Sequence, residues 1–235
     1  VSERQVPLVR TVVPAKLYAG AMMRAWRADY HQLPTQPQVG VLWAQYMVET
    51  GGSACWCWNI GNVKHVNGDG YDWFDLPGTW EIVNGKRVVL PEGHPGRRFR
   101  AFPSLDVAMV DHLAFLKRRF SSCWPKVIAG DSPGFVHALK AGRDGVEGTG
   151  DDYFTAPVKA YVDLHGHYFK QWTRMSAFEE AEKEYLAILE KETEPAPPDG
   201  PVTIEGGIIH PRVPLGLPGE CFEPGDPDDP EGGAA

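Results

Sequence analysis

Glu49 is the residue in this chain best placed to do chemistry. It closes a run, Gln38 to Glu49, in which Val39, Leu42, Trp43, Tyr46 and Met47 recur at the helical interval, and Thr50-Gly51-Gly52-Ser53 follows at once. A carboxyl at the end of such a helix is partly covered by Trp43 and Tyr46 yet open to a cleft, surroundings that raise its pKa and let it act as an acid near neutral pH. The reaction that suits it is cleavage of a glycosidic bond. There one carboxylic acid protonates the leaving oxygen, and a second carboxylate activates water or stabilises the oxocarbenium-like state. Position alone is a weak argument, since a Glu at a helix end is most often a solvated surface residue. The aromatic residues add to it: Trp56, Trp58, Tyr71, Trp73, Phe74 and Trp80 fall within 25 residues just after the candidate acid. Flat rings stack on the apolar faces of pyranose sugars while their N–H and O–H groups bond hydroxyls. About half are expected in the core, with two or three exposed.

The elements that must position these residues follow from periodicity and breakers. One helix is expected around Pro14 to Tyr30, before the breaks at Pro34 and Pro37, and a second over Gln38 to Glu49. Residues 65 to 100 change character. Glycines punctuate short runs there, Trp80 to Val83 and Arg87 to Leu90, joined by the turn-forming pair Asn84-Gly85, which reads as a β-hairpin inserted between helices. Helical patterning resumes after Ser104 as N-cap, with Leu105, Met109, Leu113, Leu116 and Phe120 on one face. A shorter helix follows from Pro133 at its first position and ends before Gly142. Two more are expected, Pro157 to about Arg174, and Ala177 to Glu192 after a Ser176-x-x-Glu179 capping box. Residues 195 to 235 hold ten prolines and eight glycines, too many backbone breakers for a packed domain. They read as a linker or anchoring arm, with one apolar patch from Ile204 to Ile209 able to dock as a strand onto an assembly partner.

Charge narrows the partners. Of the net charge of −8, residues 195 to 235 carry −7, so residues 1 to 194 are close to neutral. A near-neutral body has no broad basic field for phosphate backbones, so nucleic acid is not expected, and an uncharged or zwitterionic polymer suits it better. No apolar run is long enough to span a membrane, and Val1 to Leu17 lacks the pattern of a signal peptide. Cys55, Cys57, Cys123 and Cys221 form no CxxC pair and read as free buried thiols, with a single bridge such as Cys57 to Cys123 as the alternative. Asp144, Glu147, Asp151 and Asp152 make an acidic, glycine-rich loop without EF-hand spacing, so it reads as solvated rather than as a calcium site. His65, His94, His112, His137, His165 and His167 show no ligand spacing such as HExxH, and no metal or cofactor is expected. Asp111 and His112 read as a buried hydrogen-bonding position and a surface position, because no nucleophilic serine motif accompanies them.

Four elements in order resemble one family. Glu49-Thr50-Gly51-Gly52-Ser53, then Asn59-Ile60-Gly61-Asn62-Val63-Lys64, is similar to the Glu-Thr-Gly-x-x-x-Ser and Asn-Leu-Phe-Gly-Ile-Lys elements of the glucosaminidase-type peptidoglycan hydrolases, glycoside hydrolase family 73. Phe99-Arg100-Ala101-Phe102-Pro103-Ser104 resembles the family's Phe-Arg-x-Tyr-x-Ser, with Asp111 in the expected place of the helix it opens. Tyr153-Phe154-Thr155-Ala156-Pro157 resembles Tyr-Ala-Thr-Asp-Pro. The resemblance runs over about 110 residues and marks a divergent member: Gly61 stands where the family carries Phe, and Ser53 comes early.

The resemblance implies a mainly α (α+β), lysozyme-like helical domain over residues 1 to 194, with an inserted β-hairpin lobe and the Pro/Gly-rich arm at 195 to 235. It makes Glu49 the general acid and Tyr153 a residue of the cleft wall. Glu81, in Thr79-Trp80-Glu81, is the best match for the second carboxylate, with Asp72, Asp75 and Glu92 as alternatives. Trp56, Trp58, Trp73, Trp80 and Asn59 complete the expected substrate contacts. The implied substrate is the β-1,4-linked glycan of peptidoglycan, cleaved as by an N-acetylglucosaminidase or a muramidase in the bacterial cell envelope, whether periplasm, extracellular space or phage particle. Three alternatives stay open: a lytic transglycosylase, a non-catalytic wall-binding component of a phage tail or secretion assembly, and the same fold acting on chitin.

Overall fold

The computed structural model describes residues 3–52, 54–83, 86–142, 145–146, 153–154 and 156–193, all within the unit Val1–Glu194. Ser53, the Asn84-Gly85 turn, the acidic residues Asp144, Glu147, Asp151 and Asp152, Cys221 and the arm from Pro195 onward lie outside them. Seven α-helices are described: α1 (Ala15–Tyr30), α2 (Gln36–Thr50), α3 (Leu105–Arg119), α4 (Trp124–Ile128), α5 (Ser132–Lys140), α6 (Val158–Trp172) and α7 (Ala177–Thr193). Six short strands pair two by two: β1 (Arg10–Val12) with β2 (Ala54–Trp56), β3 (Asp72–Asp75) with β6 (Arg98–Ala101), and β4 (Trp80–Val83) with β5 (Lys86–Val89), all antiparallel. The mainly helical class and the β4–β5 hairpin agree with the expectation. The β1–β2 and β3–β6 pairs are additions to it.

Helix α2 is the central element of the unit Val1–Glu194. Every residue from Val39 to Met47 is buried, polar Gln45 included, so the helix is covered all round rather than along one stripe. Its start is fixed by a capping box in which the Gln38 side chain accepts from the Thr35 N–H at 2.8 Å. Its end is fixed by Gly51, whose left-handed φ of 65° a residue with Cβ rarely adopts. Helix α6 lies along α2 in the opposite direction. Trp172 donates from Nε1 to Gln36 O at 2.9 Å near one end, and His165 bonds Val41 O at 3.1 Å further along. Gly40 makes this close packing possible, because a Cβ there would lie 2.7 Å from Trp172 Cδ1. The Gly40→Ala variant is expected to lose about 1–3 kcal/mol of stability by overpacking, read as an earlier denaturant midpoint with unchanged slope.

Local signals and tertiary ones disagree at three points. Ser104 caps α3 as expected, accepting from Val107 N at 3.3 Å. His112, expected at the surface, is instead 2% exposed, because it shares the buried stripe of α3 with Met109 and Leu113. Helix α5 begins one residue earlier than Pro133 because Asp131, not Ser132, caps it, accepting from Gly134 N at 2.9 Å. Ser176 Oγ donates to Glu180 Oε1 at 2.5 Å, while Glu179 accepts from Gln36 Nε2 at 3.1 Å. The start of α2 thus engages the glutamate that a local capping box would have used. Cys55, Cys57 and Cys123 are free and buried.

A second, smaller core lies under the strands, where Phe74 and Phe99 stack at 5.8 Å beside Cys57 and Ala101. Along β3 runs the extended stretch Glu3 to Val6: Trp73 N donates to Arg4 O at 2.9 Å and Val6 N to Trp73 O at 2.8 Å.

Candidate active site

Glu49 stands on the last turn of α2, half-buried, as the amphipathic run leading to it implied. The antiparallel course of α6 against α2 brings Tyr161 to it, and the Tyr161 hydroxyl donates to Glu49 Oε1 at 2.7 Å across 112 residues of sequence. Tyr161 is held in turn. Phe154 stacks on its ring at 4.1 Å, and one turn along α6 His165 is fixed between Ser132 Oγ at 2.8 Å and Val41 O at 3.1 Å. Burial lowers the pKa of His165 to about 4, so at neutral pH the ring is uncharged, Nε2 donates to the carbonyl and Nδ1 accepts from the serine.

The surroundings set the protonation of Glu49. Burial of the carboxyl drives its pKa up to about 7, against the opposing pull of the Tyr161 hydrogen bond. Both neighbouring phenols are pushed far up, chiefly by their own burial and then by the charge of Glu49, so Tyr161 and Tyr153 remain protonated donors at any pH the fold tolerates. Among the described residues only Tyr161 bonds the carboxyl. With Oε1 engaged as the acceptor of that bond, Oε2 is left to carry the acidic proton. This is a proton donor poised at neutral pH with its orientation fixed from one side.

The loop after β2 closes round the backbone of the same turn. Cys57, Trp58 and Asn62 all adopt left-handed backbone, with φ of 48°, 59° and 49°. That is a cost for Cys and Trp which surrounding bonds must offset. Asn59 supplies them: it is 1% exposed, donates from Nδ2 to Val63 O and Arg100 O at 2.9 Å each, and accepts from Val63 N at 2.8 Å. Its amide is fully occupied in holding the loop. Asn62 then donates to Glu49 O at 2.5 Å, tying the loop to the end of α2. Gly61 has a steric reason, since a Cβ there would lie 2.5 Å from Nδ1 of His112.

The other sequence-predicted residues are spread over the β-rich region and the core. Tyr153 meets Phe120 edge-on at 4.9 Å and senses the charge of Glu49, so the two are brought together. Glu81, on β4, is 46% exposed and 3.8 Å from Lys64 Nζ. Trp80 is 43% exposed, with the Arg87 guanidinium over its ring at 4.5 Å. Trp73 has the Arg98 guanidinium over its ring at 4.6 Å and His65 stacked against it at 6.0 Å. Trp58 packs against the main core and Trp56 against the smaller one. Asp111 is pinned by Arg100, which donates from Nη1 to both its oxygens at 3.1 Å and from Nε to Asp69 Oδ2 at 2.9 Å.

Sequence reasoning misses Tyr161. The one signal that could have found it is its place four residues after Pro157, one turn into a helix whose start is expected there.

No protein-family profile and no curated protein matches this chain. Among solved structures the chain is similar to a peptidoglycan hydrolase mutant from Sphingomonas sp. A1, at 20% identity and a TM-score of 0.44 over 72% of this chain and 99% of that one. It is also similar to the glycoside hydrolase domain of FlgJ from Salmonella typhimurium, at 20% identity and a TM-score of 0.42 over 76% of this chain and 99% of that one. A C-terminally truncated form of that domain gives 18% identity and a TM-score of 0.43, over 69% and 100%.

Proposed function

We propose that the chain is a peptidoglycan hydrolase that cleaves β-1,4 glycosidic bonds of the cell-wall glycan strand, with Glu49 as general acid. The observation that carries this reading is the placement of Glu49 on the last turn of the core helix α2, with its Oε1 held by the Tyr161 hydroxyl at 2.7 Å. A carboxyl on the end of a core helix, with its pKa raised to about 7 by burial and one oxygen held by a phenol, is a donor for a leaving glycosidic oxygen at neutral pH. The ordered motifs around Glu49, Asn59, Phe99 and Tyr153 support the choice of polymer.

In this mechanism Glu49 Oε2–H gives its proton to the bridging oxygen as the C1–O bond breaks, and Tyr161 keeps Oε1 oriented. Glu81 is the candidate for the assisting carboxylate, on an exposed strand edge with Lys64 beside it. Trp80 is the candidate sugar platform, because its ring is the most exposed of the four tryptophans proposed to bind substrate. Tyr153 forms the wall beneath Glu49. Asn59 shapes the cleft loop from within rather than by touching sugar.

Digestion of purified cell walls with the full chain, analysed by mass spectrometry, tests the reading. Soluble muropeptides with new reducing ends are expected, N-acetylglucosamine marking a glucosaminidase and N-acetylmuramic acid a muramidase. Anhydro ends would replace hydrolysis by transglycosylation. An intact wall after exhaustive incubation would leave only glycan binding.

A further inference from the structure

We propose that Glu3 and His65 form a zinc-binding site, with Asp69 as the positioning residue that aims the imidazole. The site lies on the loop before β3 and is independent of the proposed glycan chemistry.

His65 is buried, its side chain only 1% exposed and stacked on Trp73. Its Nδ1 lies 3.0 Å from Asp69 Oδ1. That carboxylate is held by the backbone N–H groups of Val66 at 3.0 Å and Tyr71 at 3.1 Å and by Arg100 Nε at 2.9 Å. Asp69 accepts all of these bonds, so Nδ1 is the ring nitrogen turned toward it and Nε2 points the other way. Carboxylate behind, imidazole between and metal in front is the usual way a protein aims a histidine ligand.

In front of Nε2 stands Glu3. Nε2 makes no hydrogen bond among the described residues, although it is buried, and Glu3 Oε2 lies 3.5 Å from it. A lone pair facing a carboxylate oxygen is repulsive unless a cation lies between them. A proton shared by the two would draw them to about 2.7–2.9 Å, as charge-assisted bonds do. Zinc bound at its ordinary distances of about 2.0–2.2 Å, with tetrahedral angles, separates neighbouring nitrogen and oxygen ligands by about 3.4 Å. The observed 3.5 Å matches the spacing of two neighbouring zinc ligands.

Glu3 is built in as firmly as the histidine. Oε1 accepts from Gly70 N at 2.7 Å and Oε2 from Gly68 N at 3.0 Å. Gly68 and Gly70 adopt φ of 89° and 82°, which turns both N–H groups toward the same carboxylate and is open to few other residues. The Glu3 side chain remains 16% exposed, so water can complete the coordination. An imidazole with a carboxylate suits zinc, whereas calcium and magnesium prefer all-oxygen sites. Bound there, zinc would clasp the stretch Glu3 to Val6 to the loop that β3 follows.

The test is a calorimetric titration of zinc chloride into the full chain, stripped by chelator, at neutral pH, with thermal unfolding in parallel. One zinc per chain and a raised Tm are expected. Glu3→Gln, which keeps the size of the side chain, is expected to weaken binding by at least about tenfold and to remove the rise in Tm. His65→Gln should do the same, with circular dichroism to show that it folds. Absence of zinc binding by the parent chain overturns the proposal. So does affinity unchanged in Glu3→Gln, which would place the metal on other histidines. Binding of calcium in preference to zinc overturns the donor assignment.

Discussion

Glu49→Gln is expected to slow release of soluble fragments from purified cell walls by roughly 10²–10⁴-fold, the span that general acid catalysis contributes. Gln keeps the shape of the side chain and its Oε1 still accepts from Tyr161, so the site keeps its geometry and loses only the proton. The same variant separates catalysis from folding, because its effect on stability has the opposite sign. Glu49 has a folded pKa of about 7, above the ordinary carboxylate value, so its contribution is fully present below the unfolded value and is lost as pH rises through about 7. Glu49→Gln is therefore expected to raise stability above pH 7, by up to about 3 kcal/mol.

His112 and His165 act in the other direction. Burial lowers both to about 4, against a slight opposing bond from Val41 in the case of His165, so their contribution is present above the unfolded value near 6.5 and is lost as pH falls through about 4. Between roughly pH 4.5 and 6.5 two histidines oppose one glutamate. Stability is expected to climb by about 1.4 kcal/mol per pH unit in the parent chain and about twice that in Glu49→Gln. Denaturant unfolding at a series of pH values reads both slopes. Equal slopes would mean that Glu49 is an ordinary solvated carboxylate. Undiminished wall lysis by the variant would remove it from the chemistry altogether.

Tyr161→Phe is expected to move the alkaline limb of the pH–activity profile upward. The phenol stabilises the ionised carboxylate and so holds the pKa of Glu49 down, against the larger effect of burial. A hydrogen bond to a charged group is worth about 1.5–3 kcal/mol, so its loss raises the pKa by about one unit or more. In kcat/KM the limb set by the free enzyme's acid, near pH 7 in the parent chain, should shift by that amount. At neutral pH a larger protonated fraction coexists with a looser carboxyl, and kcat is expected to fall about tenfold. An unmoved limb with lowered kcat would assign Tyr161 a purely structural role. An unmoved limb with normal kcat would show that it does not act on Glu49.

Much of the helical framework can be read from sequence because its signals are local. A stripe at helical spacing, a capping residue or a proline at a first turn acts over a few residues, and α1, α2 and α6 fall within about two residues of the expected bounds. The hairpin of β4 and β5 is legible for the same reason. The pairs β1–β2 and β3–β6 are not. Thr11 finds Cys55 across 44 residues and Phe74 finds Phe99 across 25, and strands of three or four residues carry too little alternation to announce themselves.

The same division runs through the candidate site. By itself the sequence determined that an acid would stand at the end of a core helix, because amphipathic spacing and a terminal glycine place Glu49 without reference to the rest of the chain. Only the tertiary structure decided what that acid would be able to do. Its protonation near neutral pH depends on burial by distant elements and on a phenol from a helix running antiparallel to its own. The fate of Asn59 and of the tryptophans was decided there too, since a polar or aromatic side chain is equally at home holding a loop, filling a core or facing a ligand. Glu3 and His65 show it most sharply: a site assembled from residues 62 apart leaves no spacing to read, because its geometry exists only once the two segments have been brought side by side.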